Sequence, residues 1–230
     1  CATNRVTGCE ALLRWRHPVW GVVPPGRFIA VAEETGLIVD IGRWVLEEVC
    51  RQVCDWRGRG VALLPVAVNL SVRQFTPALV GEISALLAGF GVDPHQIEVE
   101  ITESLFMQSP GDVGEILKGL ARVGTRVTLD DFGTGYSSLS YIQHFSVDAL
   151  KIDRSFISEI TTKPQNVAIV LAIITMARSL GIRVIAEGVE TREQLELLAK
   201  SRCDEYQGFL FSKALAPEQL ERRFLKTVSA

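Results

Sequence analysis

The sequence predicts an α/β fold built on a parallel sheet, close to a TIM-like (β/α)8 barrel. Three observations predict it. Short apolar runs alternate with longer segments of helical period along the whole chain. No Pro/Gly/Ser-rich linker or block of like charge divides it, so one domain over 1–230 is the expectation. Its 230 residues lie near the ~250 of such a barrel. A doubly wound open sheet is the alternative, but no GxGxxG follows the first strand.

The elements follow in order. After the polar turn Ala2-Thr3-Asn4-Arg5, an apolar run predicts a strand over Val6 to Leu13, then a helix over Arg27 to Glu34. Ile38, Ile41, Val45, Val49, Val53 and Trp56 keep a helical stripe that Gly58 and Gly60 end. A strand over Leu63 to Leu70 precedes a helix over Pro77 to Ala88, and a strand over Ile97 to Thr102 precedes a helix over Val113 to Val123. Strands at Arg126 to Asp131 and Ala149 to Asp153 are followed by a helix over Asn166 to Leu180. The series closes with strand Arg183 to Glu187, helix Arg192 to Lys200, strand Asp204 to Phe209 and helix Pro217 to Phe224. The barrel count is one strand short.

Composition narrows the function. With 24 Lys+Arg against 27 Asp+Glu and a net charge of −3, no basic run offers a face to duplex nucleic acid. Five dispersed cysteines, without zinc-like pairing, favour reduced thiols and a cytoplasmic setting, and Cys50 and Cys54 read as core packing. The longest apolar run, Val167 to Ala177, falls short of the ~20 residues that cross a bilayer, and no signal-peptide pattern opens the sequence.

The chemistry lies where the strands stop. Glu10, Asn69, Glu100, Asp130 with Asp131, Lys151 with Asp153, Glu187 and Gln207 end successive apolar runs, and in a parallel barrel such positions converge at the C-terminal mouth. Any one strand end is often polar because it meets solvent, but seven in a row, inside otherwise apolar segments, are not explained that way. Burying such charges costs several kcal/mol each unless a cation compensates them. An all-oxygen set suits Mg²⁺ or Mn²⁺, and the adjacent Asp130 and Asp131 suggest two ions, one carboxylate bridging, as in displacement at phosphorus. A Schiff-base role for Lys151 conflicts with neighbouring carboxylates that keep it protonated, and a glycosidase using Glu100 and Glu187 would leave Asp130, Asp131 and Asn69 idle. Gly133-Thr134-Gly135 is by itself a turn signal, and Arg14 is suited to a phosphate or to a surface salt bridge.

The blocks Glu10-Ala11-Leu12-Leu13-Arg14-Trp15, Val68-Asn69-Leu70-Ser71, Glu100-Ile101-Thr102-Glu103, Asp130 to Ser138, Lys151-Ile152-Asp153, Ala186-Glu187-Gly188-Val189-Glu190 and Gln207-Gly208-Phe209 resemble the EAL domain of bacterial cyclic-di-GMP phosphodiesterases, in the family's order. The resemblance implies Mg²⁺- or Mn²⁺-dependent hydrolysis of cyclic-di-GMP to linear pGpG. By the family's pattern Glu10, Asn69, Glu100 and Asp130 hold one metal, Asp131 reaches a second, and Glu187 completes the second site or acts as general base. Lys151 holds the attacking water, Gln207 and Asp153 orient it, and Glu190 supports the strand end. Leu12 packs on a guanine, Arg14 meets a phosphate, and Glu103 anchors the loop from Asp131 to Ser138, which the family links to metal binding and dimerisation. A silent cyclic-di-GMP receptor is the alternative, since many relatives have lost one or more of the acids that are all present here.

Three departures from the family stand out. Lys213-Ala214-Leu215 lacks a common proline, and Arg202 replaces a frequent glycine. The family's first strand, antiparallel and carrying a Gln-Pro motif, would precede Ala2 and is missing. The expectation is therefore an N-terminally truncated EAL barrel from a larger signalling protein, with an upstream sensor or GGDEF domain and room for a membrane anchor elsewhere in the full chain.

Overall fold

The computed structural model describes residues 1, 3, 5–107, 110–135 and 145–225. The chain divides into two compact units, one comprising Thr7–Glu100, Gly119–Arg126 and Ala216–Ala230, the other Cys1–Val6, Ile101–Lys118 and Val127–Leu215.

In the first unit β1 (Cys9–Ala11), β4 (Val66–Asn69) and β5 (Ile97–Thr102) run parallel, with Glu10 opposite Ala67 and Asn69 opposite Glu100. Strand side chains alternate between faces. Val66, Val68, Ile97 and Val99 therefore share one face and are buried, while Glu10, Ala67, Asn69, Glu98 and Glu100 share the other. Helices α1 (Pro25–Thr35), α2 (Leu37–Gly58) and α3 (Leu79–Phe90) belong to this unit, α2 packing on β4 through a stripe that buries Leu46, Val49, Val53 and Trp56. Pro25 opens α1 because its fixed φ and missing N–H suit a first helical turn.

Between β1 and α1 lies a hairpin that the periodicity did not predict, β2 (Trp15–His17) paired antiparallel with β3 (Gly21–Val23). Three-residue strands are too short to show alternation. The His17 ring stacks on Trp20 at 4.1 Å, and its Nδ1 accepts from the backbone N–H groups of Val19 (3.1 Å) and Trp20 (3.2 Å). Trp15 meets Trp20 and Phe28 edge-on, so the corner is held by rings.

The second unit repeats the parallel scheme with β6 (Arg126–Phe132, almost wholly within it), β7 (Ala149–Ile152), β8 (Arg183–Ala186) and β9 (Glu205–Tyr206). Leu129, Leu150, Ile152, Val184 and Ala186 form its buried apolar face, on which α6 (Pro164–Ser179) packs through Val170, Ile173, Ile174 and Ala177. The opposite face carries Thr128, Asp130, Lys151, Ile185, Glu187 and Glu205. Helices α5 (Arg154–Ser158) and α7 (Arg192–Lys200) complete the βα series of this unit, α4 (Pro110–Val123) is divided between the units at Lys118, and α8 (Pro217–Phe224), as predicted from the sequence, belongs to the first. Predicted and observed elements coincide in type, with boundaries moved by a few residues. The strand expected over Val6 to Leu13 is limited to Cys9–Ala11 because the chain turns into the hairpin, and the five-residue α5 was not foreseen.

All five cysteines are free, Cys50 is buried, and the Cys54 Sγ donates to the Phe90 carbonyl at 3.2 Å. Among the described residues no helix is long and apolar enough to cross a membrane.

Candidate active site

Lys151 is a buried cation among the acids of the second unit. It sits on β7 and is 1% exposed, yet it carries an ammonium. Taken from water unpaired, such a charge would cost several kcal/mol. Its Nζ lies 2.9 Å from Glu187 Oε1 and 3.9 Å from Asp130 Oδ2. The register makes this pairing possible, since Lys151 stands opposite Ile185 and Glu187 follows two residues later on the same face, just past β8.

Asp130 and Asp131 lie near the end of β6, where the register with β7 shifts between Leu129 and Phe132. Such a bulge re-aims side chains. Asp131 takes a left-handed φ of 55° there, its N–H donating to Asp130 Oδ1 at 2.9 Å. As a result the carboxylates of Asp130, Asp131 and Glu187 each present an oxygen within 4.8 Å of the others. Asp131 is exposed, but partial desolvation of its carboxyl raises its pKa, the Asp153 charge adds to that rise, and Lys151 partly offsets it. These three convergent carboxyl groups, Asp131 among them, form an oxygen donor set that a hard divalent cation fits.

Asp153 caps α5, its Oδ1 accepting from Ser155 N–H at 3.0 Å. Gln207 follows β9; its N–H donates to the Ala186 carbonyl at 2.8 Å and its carbonyl accepts from Val189 N–H at 3.0 Å, tying it to the Glu187–Glu190 turn. That turn depends on two glycines. Gly188 has φ 68°, and a Cβ on it would come within 2.6 Å of Arg154 Cβ. A Cβ on Gly208 would overlap the Val189 backbone. Glu190 is exposed, and its main chain is gripped, its N–H donating to Gln194 Oε1 at 2.7 Å. Glu103 is 8% exposed; its Oε2 accepts from Gly133 N–H at 3.1 Å. A Cβ on Gly135 would fall 2.8 Å from Glu103 Oε1. The carboxylate therefore holds the start of the loop after β6. Tyr136, Ser137 and Ser138 lie outside the described residues.

In the first unit Asn69 Nδ2 donates to Glu10 Oε1 at 2.7 Å, and Asn69 stands opposite Glu100, which is 2% exposed. These three expected ligands therefore form one group. Leu12 is 44% exposed, while Arg14 directs Nη1 to the Leu13 carbonyl at 2.8 Å. Strand-end reading missed Glu98, which is 8% exposed and shares the face of Glu100 one alternation earlier. Its signal was the alternation in Ile97-Glu98-Val99-Glu100-Ile101, which puts both acids on one side.

A parallel α/β fold whose polar strand face gathers carboxylates around a buried lysine defines a class of α/β proteins with an acidic strand-end face. Within that class the chain belongs to the EAL domain family, whose pattern matches residues 1–214. It is TIM-like, and among the described residues its parallel sheet has seven strands, one fewer than a full barrel. It is 45% identical over 98% of its length to the signaling protein YkoW of Bacillus subtilis, covering 28% of that protein. It is also 45% identical over 93% of its length to MucR of Pseudomonas aeruginosa, a bifunctional diguanylate cyclase/cyclic di-GMP phosphodiesterase, covering 31% of it. The solved PaMucR phosphodiesterase in complex with c-di-GMP superposes with a TM-score of 0.89 at 44% identity, over 93% of this chain and 87% of that one. The chain thus spans about three-tenths of the length of these curated relatives.

Proposed function

We propose that this chain is a phosphodiesterase that hydrolyses cyclic-di-GMP to linear pGpG and depends on Mg²⁺ or Mn²⁺. The observation that carries the reading is Lys151, buried to 1% exposure, with its ammonium 2.9 Å from Glu187 in a cluster that also presents Asp130 and Asp131. In this reading Glu10, Asn69, Glu100 and Asp130 would hold one ion and Asp131 would reach the other, with Glu187 kept as the general base. Bound there, the cations would neutralise phosphate charge and lower the pKa of a bound water.

The chain's own groups do the rest. Lys151, kept protonated by its carboxylates, donates a hydrogen bond that holds the attacking water in line and meets charge developing at phosphorus. Asp153 and Gln207 orient that water, and Glu190 supports the turn. Glu187 takes the water proton as the new P–O bond forms. The P–O3′ bond breaks, the electron pair stays on O3′, and O3′ takes a proton from solvent, leaving pGpG with its 5′-phosphate. Arg14, released from the Leu13 carbonyl, pairs with a phosphate and Leu12 packs on a guanine, while Glu103 keeps the loop after β6 in place. The identity to MucR and the likeness to its c-di-GMP complex support the substrate.

We infer further that the domain works in the cytoplasm as a homodimer within a longer signalling protein that carries a sensor or GGDEF domain. Chromatography of cyclic-di-GMP incubated with the protein and Mg²⁺ or Mn²⁺ tests the activity. The expected product is pGpG, with Lys151→Ala and Glu10→Ala each slower by at least about 100-fold. Tight binding in calorimetry without product in either metal would make the chain a receptor instead.

A further inference from the structure

The Glu187–Glu190 turn carries two of the residues assigned above, and its shape is fixed by a side chain outside that assignment. Gln194 is 5% exposed and lies in the first turn of α7. Its Oε1 accepts from the N–H groups of Glu190 (2.7 Å) and Thr191 (2.9 Å). Its Nε2 donates to the carbonyls of Ile157 (3.1 Å) and Ser158 (3.4 Å). All four hydrogen bonds that the carboxamide can make as two-fold acceptor and two-fold donor are formed.

Only half of this belongs to helix capping. Thr191 and Gln194 form a capping box, in which Gln194 N–H donates to Thr191 Oγ1 at 3.2 Å and the Gln194 amide oxygen reaches back to the Thr191 N–H. A capping box needs an acceptor at this place, and Glu serves it as well as Gln. The bonds to Ile157 and Ser158 need a donor, which Glu lacks. They reach the C-terminal end of α5, the helix that Asp153 caps two residues after Lys151. One amide thus joins the segment bearing Lys151 and Asp153 to the segment bearing Glu187 and Glu190. The N–H of Glu187, bonded to the Ile152 carbonyl at 3.1 Å, fixes the other end of the same turn.

We propose that Gln194 is a positioning residue of the site, acting through the backbone to hold Glu187 against Lys151. The inference rests on the phosphodiesterase reading. Gln194→Glu keeps the capping box and removes the bonds to α5. Its expected result is a folded protein with kcat lower by about 10-fold or more and KM within about twofold. Without substrate, it should bind Mn²⁺ about 5-fold or more weakly, and amide exchange in the metal-free protein should be faster across 154–158 and 187–191.

Thr191→Ala supplies the opposite arm. It loses the hydroxyl cap while the four amide bonds remain, and it should melt earlier with kcat within about twofold of wild type. A Gln194→Glu protein with wild-type kcat, Mn²⁺ affinity and exchange would overturn the proposal. So would a loss of about 10-fold in kcat for Thr191→Ala, which would make capping alone responsible; this arm decides if Gln194→Glu does not fold. If wild type itself yields no pGpG, the phosphodiesterase reading fails, and the clamp is judged separately on exchange and Mn²⁺ affinity.

Discussion

Asp131 combines a left-handed φ of 55° with a carboxyl that partial desolvation and Asp153 push toward its neutral form. A folded-state pKa above the unfolded value means that the folded chain binds more protons between the two values. Stability gained below the unfolded pKa is therefore lost as pH rises through the folded one, and at neutral pH the charge is a standing cost. Asparagine accepts the left-handed region and carries no charge. Asp131→Asn should then raise the melting temperature of the metal-free protein at pH 7 and flatten its decline above pH 4; a lower melting temperature would contradict this account. Most candidate site residues were legible because each interrupts an apolar run at its end, as Lys151 does between Leu150 and Ile152. Gln194 was not, because its distant partner Ile157 lies 37 residues away and nothing local distinguishes it from an ordinary capping residue.

Two backbone positions set the elements around the site, and they give opposite expectations. Arg202, between α7 and β9, has φ 61° where the resembled family often has glycine. A side chain there costs about 1–2 kcal/mol, against which glycine gives back about 0.5–1 kcal/mol of unfolded-chain entropy. Arg202→Gly should raise the melting temperature by about 1–4 °C, read by calorimetry, because the carbonyl that accepts from Arg178 at 3.2 Å is retained. Gly208→Ala should do the reverse: a methyl group has no space beside the Val189 backbone, so β9 and the Glu187–Glu190 turn cannot keep their spacing. A Gly208→Ala protein melting within about 2 °C of wild type, a shift worth about 1 kcal/mol or less, would contradict that packing. The long helices and buried strands were predictable from period alone. The hairpin and α5 were not, because three to five residues hold too little of either period and are fixed instead by ring contacts and by the Asp153 cap.

The division into two units left no trace in composition. Neither unit is a continuous stretch of chain, so no linker marks a boundary between them. What both units share is an apolar strand face under helices and an opposite face bearing acids. That arrangement leaves part of the molecule's stability to a counter-charge. Mn²⁺ at 100 times its dissociation constant should add about 2.7 kcal/mol, a rise of roughly 5–10 °C in melting temperature over a sample in EDTA. No shift would mean that the carboxylates hold no ion. The ring-packed hairpin gives a second way to follow the molecule, by light. Trp20 is 69% exposed and stacked on His17, Trp56 is 3% exposed in the core, and Trp15 follows Leu12 and Arg14 within a few residues. Indole emission shifts to shorter wavelength as water is excluded. Trp44 on α2 is a further exposed indole, at 53%, so in a Trp44→Phe protein red-edge emission reports events at the hairpin and blue-edge emission reports the core, and ligand arrival and global unfolding carry different colours in one unlabelled sample.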